Sequence, residues 1–519
     1  MSHFHPISVI RCKITNNSPI SSLYWQLFIT FANVMRNENL KEKTAKGLFW
    51  GALNSGATQV LSLLLGIFLA RLLSPDDYGI VGILAIFIAI AGNLQSSGFT
   101  QGLINLKAPT RRDYSAVFWF NIIASFSIYT ILFFSAPLIA DYFHQPALLK
   151  LSRLIFLGFV ISSFGIAPSA YMYKNMMNRE NAIIAIAASL ISGLTGIALA
   201  YCGYGYWSLA WQQLTYVAVT TVSRYYCTRF CPMFDFDFSP IKKRFGFSVK
   251  ILLTNIINTV STNVLTFIFG RLYPISQVGN FYQAFKWDTM ASGVVSGAVA
   301  QVAQPVMVDI REDNEREVRV FRKMTRVTAM FSFAVMFGLA LVAKEFIHVT
   351  IGEKWADCVP LLQILCVSGA FMPFYTLYQN LTISKGRSDL YFWCTTALIV
   401  LQIGLVALFH ESGMQWIVVG YTTITILWLL VWQFVANRLI GLRLLDMLKD
   451  VAPFCLLALL VMVVTYAATQ FITSYVLLLI CRVLMAVVLY YLALKLLRVK
   501  ILSECEEFFL RRFMKKDAP

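Results

Sequence analysis

LARLLSPDDYG, residues 69–79, ends a run of about twenty mostly apolar residues on an arginine, and FGRLYPISQVG, residues 269–279, does the same two hundred positions later. In each, the arginine stands eight residues before a glycine. An apolar run of about 20 residues is the length of a helix that crosses a bilayer. A charge at its end marks the place where the chain leaves lipid.

The whole chain repeats this pattern. Of 519 residues, 58% are hydrophobic and only 13% are charged, and the mean hydropathy is +0.67. A protein whose solvent is water needs more polar surface than that. Fourteen stretches are candidates for spans, at 48–71, 79–99, 116–136, 151–172, 182–203, 205–223, 247–270, 282–307, 327–343, 358–382, 390–409, 414–436, 451–471 and 474–494. Short alternating strands of the kind a β-barrel needs are missing from the pattern. The expected fold is all-α and polytopic, with about fourteen transmembrane helices.

Lys and Arg set the expected orientation. Thirty-two of the 43 basic residues fall in the tail from Arg36, the even-numbered connections and the carboxy-terminal tail. Six fall at the odd-numbered connections: Arg71, Lys150, Arg153, Arg271, Lys344 and Lys354. Both termini are therefore expected in the cytoplasm of a bacterial inner membrane protein. The net charge of +17 reflects this asymmetry rather than nucleic-acid binding. Ten cysteines and five histidines show no metal spacing, although Cys227 and Cys231 share one connection. No phosphate-binding loop, HExxH or GxSxG is found, and no cofactor or metal is expected. In the amino-terminal 34 residues, SSLYWQLFITFANV is too short to span, and MRNENLKEKTAKGLFW from Met35 reads as a natural start. An interfacial anchor is the competing reading of 1–34.

The two halves echo each other beyond the opening motif. NRENAII (178–184) and GRSDLYF (386–392) precede spans five and eleven, while GYGYWSLAW (203–211) and ESGMQWIVVGY (411–421) follow them, with Trp207 and Trp416 at the turns. The expected organisation is a cytoplasmic tail (1–46), a six-helix lobe (47–224), a cytoplasmic linker (225–246), a second six-helix lobe (247–436), a terminal helix pair (437–496) and a basic cytoplasmic tail (497–519). Two lobes that enter from the same side are related by an axis along the membrane normal.

Four stretches carry a family resemblance: KGLFWGALNSGATQVLSLLLGIFLARLLSPDDYGIVG (46–82), GYGYWSL, FGRLYPISQVG and IGEKWADCVPLLQILCVSGAFMPF (351–374). From about Leu48 to the final helices the chain resembles the polysaccharide exporters of the multidrug/oligosaccharidyl-lipid/polysaccharide superfamily, most of all the WzxC-like colanic-acid and lipopolysaccharide exporters. The resemblance implies a two-lobe flippase that moves an undecaprenyl-pyrophosphate-linked oligosaccharide to the periplasmic leaflet. It also implies contact with membrane lipid and with polysaccharide polymerase or assembly proteins. Where the family commonly has an arginine, in a YxRA pattern, this chain has Tyr282-Gln283-Ala284, with Lys286 about one turn later.

Polar residues in spans face the bundle or a wet cavity. They concentrate in spans one (Asn54, Thr58, Ser62), two (Asn93, Gln95, Ser96), seven (Asn255, Asn258, Thr259, Thr262) and eight (Lys286, Asp288, Gln301, Gln304). Amides and hydroxyls suit sugars, and fixed positive charge suits pyrophosphate. The candidate substrate-binding residues are Lys286, Arg71, Arg271, Asn54, Thr58, Asn255, Asn258, Gln301 and Gln304. Helix–helix hydrogen bonding is the simpler reading of any single Asn or Thr. Arg71 and Arg271 fit either a lipid head group or the terminal carbonyls of their own helices. Lys286 fits either phosphate or the outer interface, Arg482 either a lipid-tail groove or a carbonyl, and the stripe Arg316, Arg319, Lys323 and Arg326 either pyrophosphate or anionic lipid.

Two other functions compete. An ion-coupled multidrug antiporter needs carboxylates inside the membrane, and only Asp288 stands well inside a span, with Glu345 at an edge. A polysaccharide polymerase needs a sizeable external segment, and the longest external connections have about fourteen residues. Export is the expected function, and enzyme activity is not expected. Single-cysteine labelling tests the topology: positions near His144 and Glu411 should react from outside, and those near Arg319 and Arg443 only from inside.

Overall fold

A computed structural model describes residues 56–96, 109–233, 245–310, 313–499, 501–504 and 506, without the side chains of 94–96, 245–255 and 258. Among the described residues every regular element is helical. In chain order, α1 is Gly56–Leu72 and α2 Pro75–Ser96, followed by α3 (Arg111–Tyr142), α4 (Ala147–Phe164), α5 (Ile166–Lys174), α6 (Asn178–Tyr201) and α7 (Tyr206–Thr228). A second set comprises α8 (Phe245–Leu272), α9 (Ile275–Ile310), α10 (Asn314–Thr350), α11 (Cys358–Gly369), α12 (Met372–Ser384), α13 (Ser388–Phe409) and α14 (Met414–Ile440). The helices α15 (Leu444–Thr469) and α16 (Tyr475–Leu496) follow.

Eleven segments among the described residues are long and apolar enough to cross a membrane. The protein is a helical multi-pass membrane protein. The expected total of fourteen requires α1, α7 and α8 as well. Only 17 residues of α1 are described, and α7 carries polar residues such as Gln212 and Gln213 that lower its hydropathy.

The element pattern recurs in a way the sequence does not announce. The fourth span of each set is broken, α4 from α5 at Gly165 and α11 from α12 at Ala370–Phe371. The second break is held by Ser332 on α10, which donates to the Ala370 carbonyl at 2.7 Å. Starts are set by local chemistry: Thr110 and Asp113 form a capping box at α3, and Asp313 accepts the Arg316 N–H at the start of α10. The α10 helix runs 37 residues, so part of the expected 311–326 connection is already helical. Its basic stripe is largely paired, with Arg319 to Glu315, Lys323 to Glu504 and Arg326 to Asp450.

The two sets meet where α2 crosses α9. A Cβ placed on Gly79 would lie 2.3 Å from the Ile275 carbonyl oxygen, and one on Gly279 only 1.8 Å from that of Pro75. Two backbones approach this closely only where neither residue has a side chain. The glycines of the repeated motif are therefore the contact itself. Gly279→Ala should lower the thermal midpoint in detergent, at a cost of about 1–3 kcal/mol. Gly338→Ala, whose Cβ would meet nothing nearer than 3.8 Å, should leave it unchanged; equal midpoints for both variants would remove this crossing as a packing constraint.

Candidate functional site

The end of the bundle that carries the odd-numbered connections, expected to face outward, is called here the outer end. There the sets cap each other's helices. The Arg71 guanidinium donates to the carbonyls of Val349 and Thr350 at the end of α10. In return, Lys354 donates to the Arg71 carbonyl at 2.7 Å, and the buried Trp355 indole donates to that of Ala70 at 2.9 Å. The last four carbonyls of a helix have no partner within it, and a cation there is favoured by the helix dipole. Burial lowers the Lys354 pKa from the ordinary lysine value, against a smaller opposing effect of Asp77. Trp355 also meets the Tyr78 ring edge-on at 5.3 Å. Arg71 thus caps the other set's helix and not its own.

Arg271 also reaches across, but differently. Its guanidinium lies 5.6 Å from the Tyr142 ring centroid at the end of α3, beside the Phe143–Phe267 contact at 5.2 Å. Both arginines therefore address the third span of the opposite set. Both contacts join one set to the other at the outer end.

Below these contacts two cavities share Tyr282 and Lys286. The larger, about 820 Å³, is lined from α1, α8 and α9 by residues including Gln59, Asn263, Thr289 and Gln301. The smaller, about 420 Å³, lies against the first set at Thr58, Ser62, Ser189, Gln212 and Gln213. Lys286 is half-buried between them, with its ammonium 5.8 Å from the Tyr78 ring centroid. Gly66 leaves room for it: a Cβ there would stand 3.4 Å from Lys286 Nζ. Among the described residues no carboxylate or hydrogen-bond acceptor pairs with this ammonium. Tyr282 packs over Gly82, its counterpart two hundred residues earlier.

The expected residues separate on this geometry. Lys286, Thr58 and Gln301 line the cavities. Gln304 is exposed on the same helix but is not part of either lining. Asn54 and the side chains of Asn255 and Asn258 lie outside the described residues. Spans five and six contribute Ser189, Gln212 and Gln213, which the focus on spans one, two, seven and eight missed. The signal was present: adjacent glutamines in an apolar span have no reason to be there unless they face water or each other.

Asp288 turns away from Lys286. It is buried against α11, where a Cβ on Gly369 would lie 2.1 Å from its Oδ1. Two residues along a helix amount to about 200° of rotation, so the pair shares no face. Glu345, near the outer end of α10, is only 3% exposed. It is paired with Arg482 at 2.8 Å. Arg482 also donates to Thr469 and to the Leu341 carbonyl, so the expected carbonyl contact is one part of a buried cluster. The other deeply buried acids, Glu317 and Asp450, are paired with Lys385 and Arg322, both at 2.6 Å.

Comparison with known proteins agrees with this architecture. Residues 68–360 match the model of the polysaccharide biosynthesis protein family. The chain belongs to that family. It is 25% identical over 363 residues to the lipopolysaccharide biosynthesis protein WzxC of Escherichia coli, covering 68% of this chain and 72% of that protein. It is likewise 25% identical over 359 residues to the succinoglycan biosynthesis transport protein ExoT of Rhizobium meliloti, covering 69% and 72%. Among solved structures, the lipid II flippase MurJ in an inward closed conformation shares the fold with a TM-score of 0.69 at 15% identity, over 87% of this chain and 99% of that one. An inward-facing multidrug transporter of the MATE family shares it at 0.60 and 18% identity, over 75% and 98%.

The reciprocal caps predict a gating phenotype. In a cysteine-free background with Ser62→Cys in the smaller cavity, Arg71→Ala combined with Lys354→Ala should raise labelling by a membrane-impermeant thiol reagent from the outer side. Labelling that stays at the parental rate would show that the caps do not close that end.

Proposed function

We propose that this protein carries an undecaprenyl-pyrophosphate-linked oligosaccharide across the bacterial inner membrane by alternating access, delivering it for surface polysaccharide assembly. The observation that supports the reading most is Lys286, a cation with no partner among the described residues, between two cavities that carry amides and hydroxyls at the meeting of the two helix sets. A pyrophosphate brings at least two negative charges into a medium that screens poorly. One fixed cation facing the cavity opposes that cost, and the surrounding amides and hydroxyls exchange hydrogen bonds with sugar as water does. The glycine crossing and the caps join the sets at the outer end, while the larger cavity runs along α9 to the exposed Gln301. This supports loading from the cytoplasmic side.

An apolar groove of about 570 Å³ between α10 and α16, reaching α9 at Ala291, supplies a place for the polyprenyl chain. Ala291 neighbours Met290, which lines the larger cavity, so tail and head group would sit on adjacent faces of one helix. The Arg482 charge beside the groove is neutralised by Glu345, which keeps that wall hospitable to hydrocarbon. A multidrug antiporter is the poorer reading. A cationic drug requires a carboxylate where it binds, and here the cavity carries an ammonium while Asp288 faces elsewhere.

Lys286→Ala should reduce export with normal protein abundance, measured as lipid-linked saccharide retained in the inner leaflet, and Lys286→Arg should retain part of it. Undiminished export in Lys286→Ala would eliminate the phosphate contact at this position.

A further inference from the structure

We infer that the outer end of the second helix set carries a saccharide-binding vestibule, separate from the central cavities, that receives sugar residues as they leave. This rests on the export reading above. The vestibule is a cavity of about 550 Å³ bordered by Tyr273, Gln277, Asn280, Asp357, Gln415 and Trp416. All six come from the starts of α9, α11 and α14 or the connections before them.

The comparison between the two sets carries the inference. In the first set the same place is filled. Asp77 accepts hydrogen bonds from the N–H and hydroxyl of Ser74 at 2.9 and 2.8 Å, and its Oδ1 closes on the turn at Gly205, 2.8 Å from where a Cβ would be. Two hundred residues on, Ser74 is replaced by Pro274 and Asp77 by Gln277. Proline has neither an N–H nor a hydroxyl to hold residue 277, so Gln277 is exposed. The equivalent turn glycine, Gly413, has nothing within 4 Å of a Cβ position.

The wall changes as well. Ile80, packed in the core of the first set, becomes Asn280, which is 3% exposed and borders the opening. Its side-chain carbonyl oxygen has no hydrogen-bond partner among the described residues. A buried acceptor without a partner is unfavourable, and a ligand hydroxyl offsets that cost by donating to it. Trp416 completes the site. Gly205 and Gly413 cap α7 and α14, so Trp207 is the second residue of its helix and Trp416 the third. That one-residue step is about 100° of rotation. Trp207 packs against the core, whereas Trp416 is 68% exposed at the rim.

An amphipathic ring beside amides and a carboxylate matches the chemistry of a sugar, which has apolar C–H faces and a hydroxyl rim. A membrane anchor would account for an exposed tryptophan at this depth. It does not account for the open turn or the unpartnered amide oxygen of Asn280.

The test uses the full-length protein in its own host, with p-benzoylphenylalanine in place of Trp416 or, separately, of Met290 in the central cavity. After irradiation, saccharide fixed to the purified protein is detected by periodate oxidation and hydrazide tagging. Label at both positions is the expected result, and label at position 416 alone also supports the vestibule while removing the central cavity from the route. Label at Met290 alone overturns the vestibule and leaves the export reading standing; label at neither overturns both. Adding Asn280→Ile, which restores the residue of the first set, should lower the label at position 416 several-fold and leave the label at 290 unchanged. Equal label at 416 in that variant would mean that sugar only passes by, without a built site.

Discussion

The structure depends on two helices that cross with backbone against backbone. Where α2 meets α9, Gly79 and Gly279 have no room for a single methyl group. In lipid, helices gain little from hiding apolar surface, so close van der Waals approach has to supply the attraction. Glycine permits that approach where α2 crosses α9, one of the places at which the two sets are joined. Everything at the outer end is arranged about this point. The caps of Arg71, Lys354 and Trp355 satisfy carbonyls that would otherwise be orphaned, and each does so across the boundary between the sets. Such contacts are individually worth about 1 kcal/mol. Together they tie the two sets to each other at the outer end.

Charge is distributed on the same logic. Buried acids in this chain are mostly neutralised by a partner at hydrogen-bond distance, as in Glu345 with Arg482 and Glu317 with Lys385. Leaving one charge of such a pair alone in a poorly screening interior is strongly unfavourable. Lys286 is left unpaired among the described residues, and it faces space large enough for a ligand. Asp288 is the exception among these acids, buried against α11 on the opposite face of the helix; the proposed anion contact rests on Lys286 alone. The repeat is the second source of function. The two sets share one helical plan, and they diverge where each has its own role. Tyrosine at 282 stands where the first set has glycine at 82, and the turn at Gly413 is open where the one at Gly205 is filled.

Much of this was legible in the residues themselves. The long apolar runs, the alternation of basic loops and the paired RL…G motifs followed from the cost of exposing backbone and charge to hydrocarbon, which acts locally along the chain. Lys286 stood out for the same reason, because a lysine one turn inside a span is costly wherever the helix faces. The residues alone thus pointed to a multi-span helical protein with repeated motifs and few polar positions inside its spans.

Only the tertiary structure decided what those positions touch. Arg71 has the spacing of a cap for its own helix, and its nearest orphan carbonyls in the fold belong to α10, some 280 residues away. Gln212 and Gln213 enter the cavity because α7 is packed with that face inward, a matter of rotation that polar content alone leaves open. Trp207 and Trp416 look equivalent until the helix starts are placed, whereupon one residue of register turns one ring into the core and the other into solvent. The physical reason is the same throughout. Hydropathy is a property of each residue and is read in sequence, whereas partnership is a property of helix rotation and crossing, which depends on packing between distant segments.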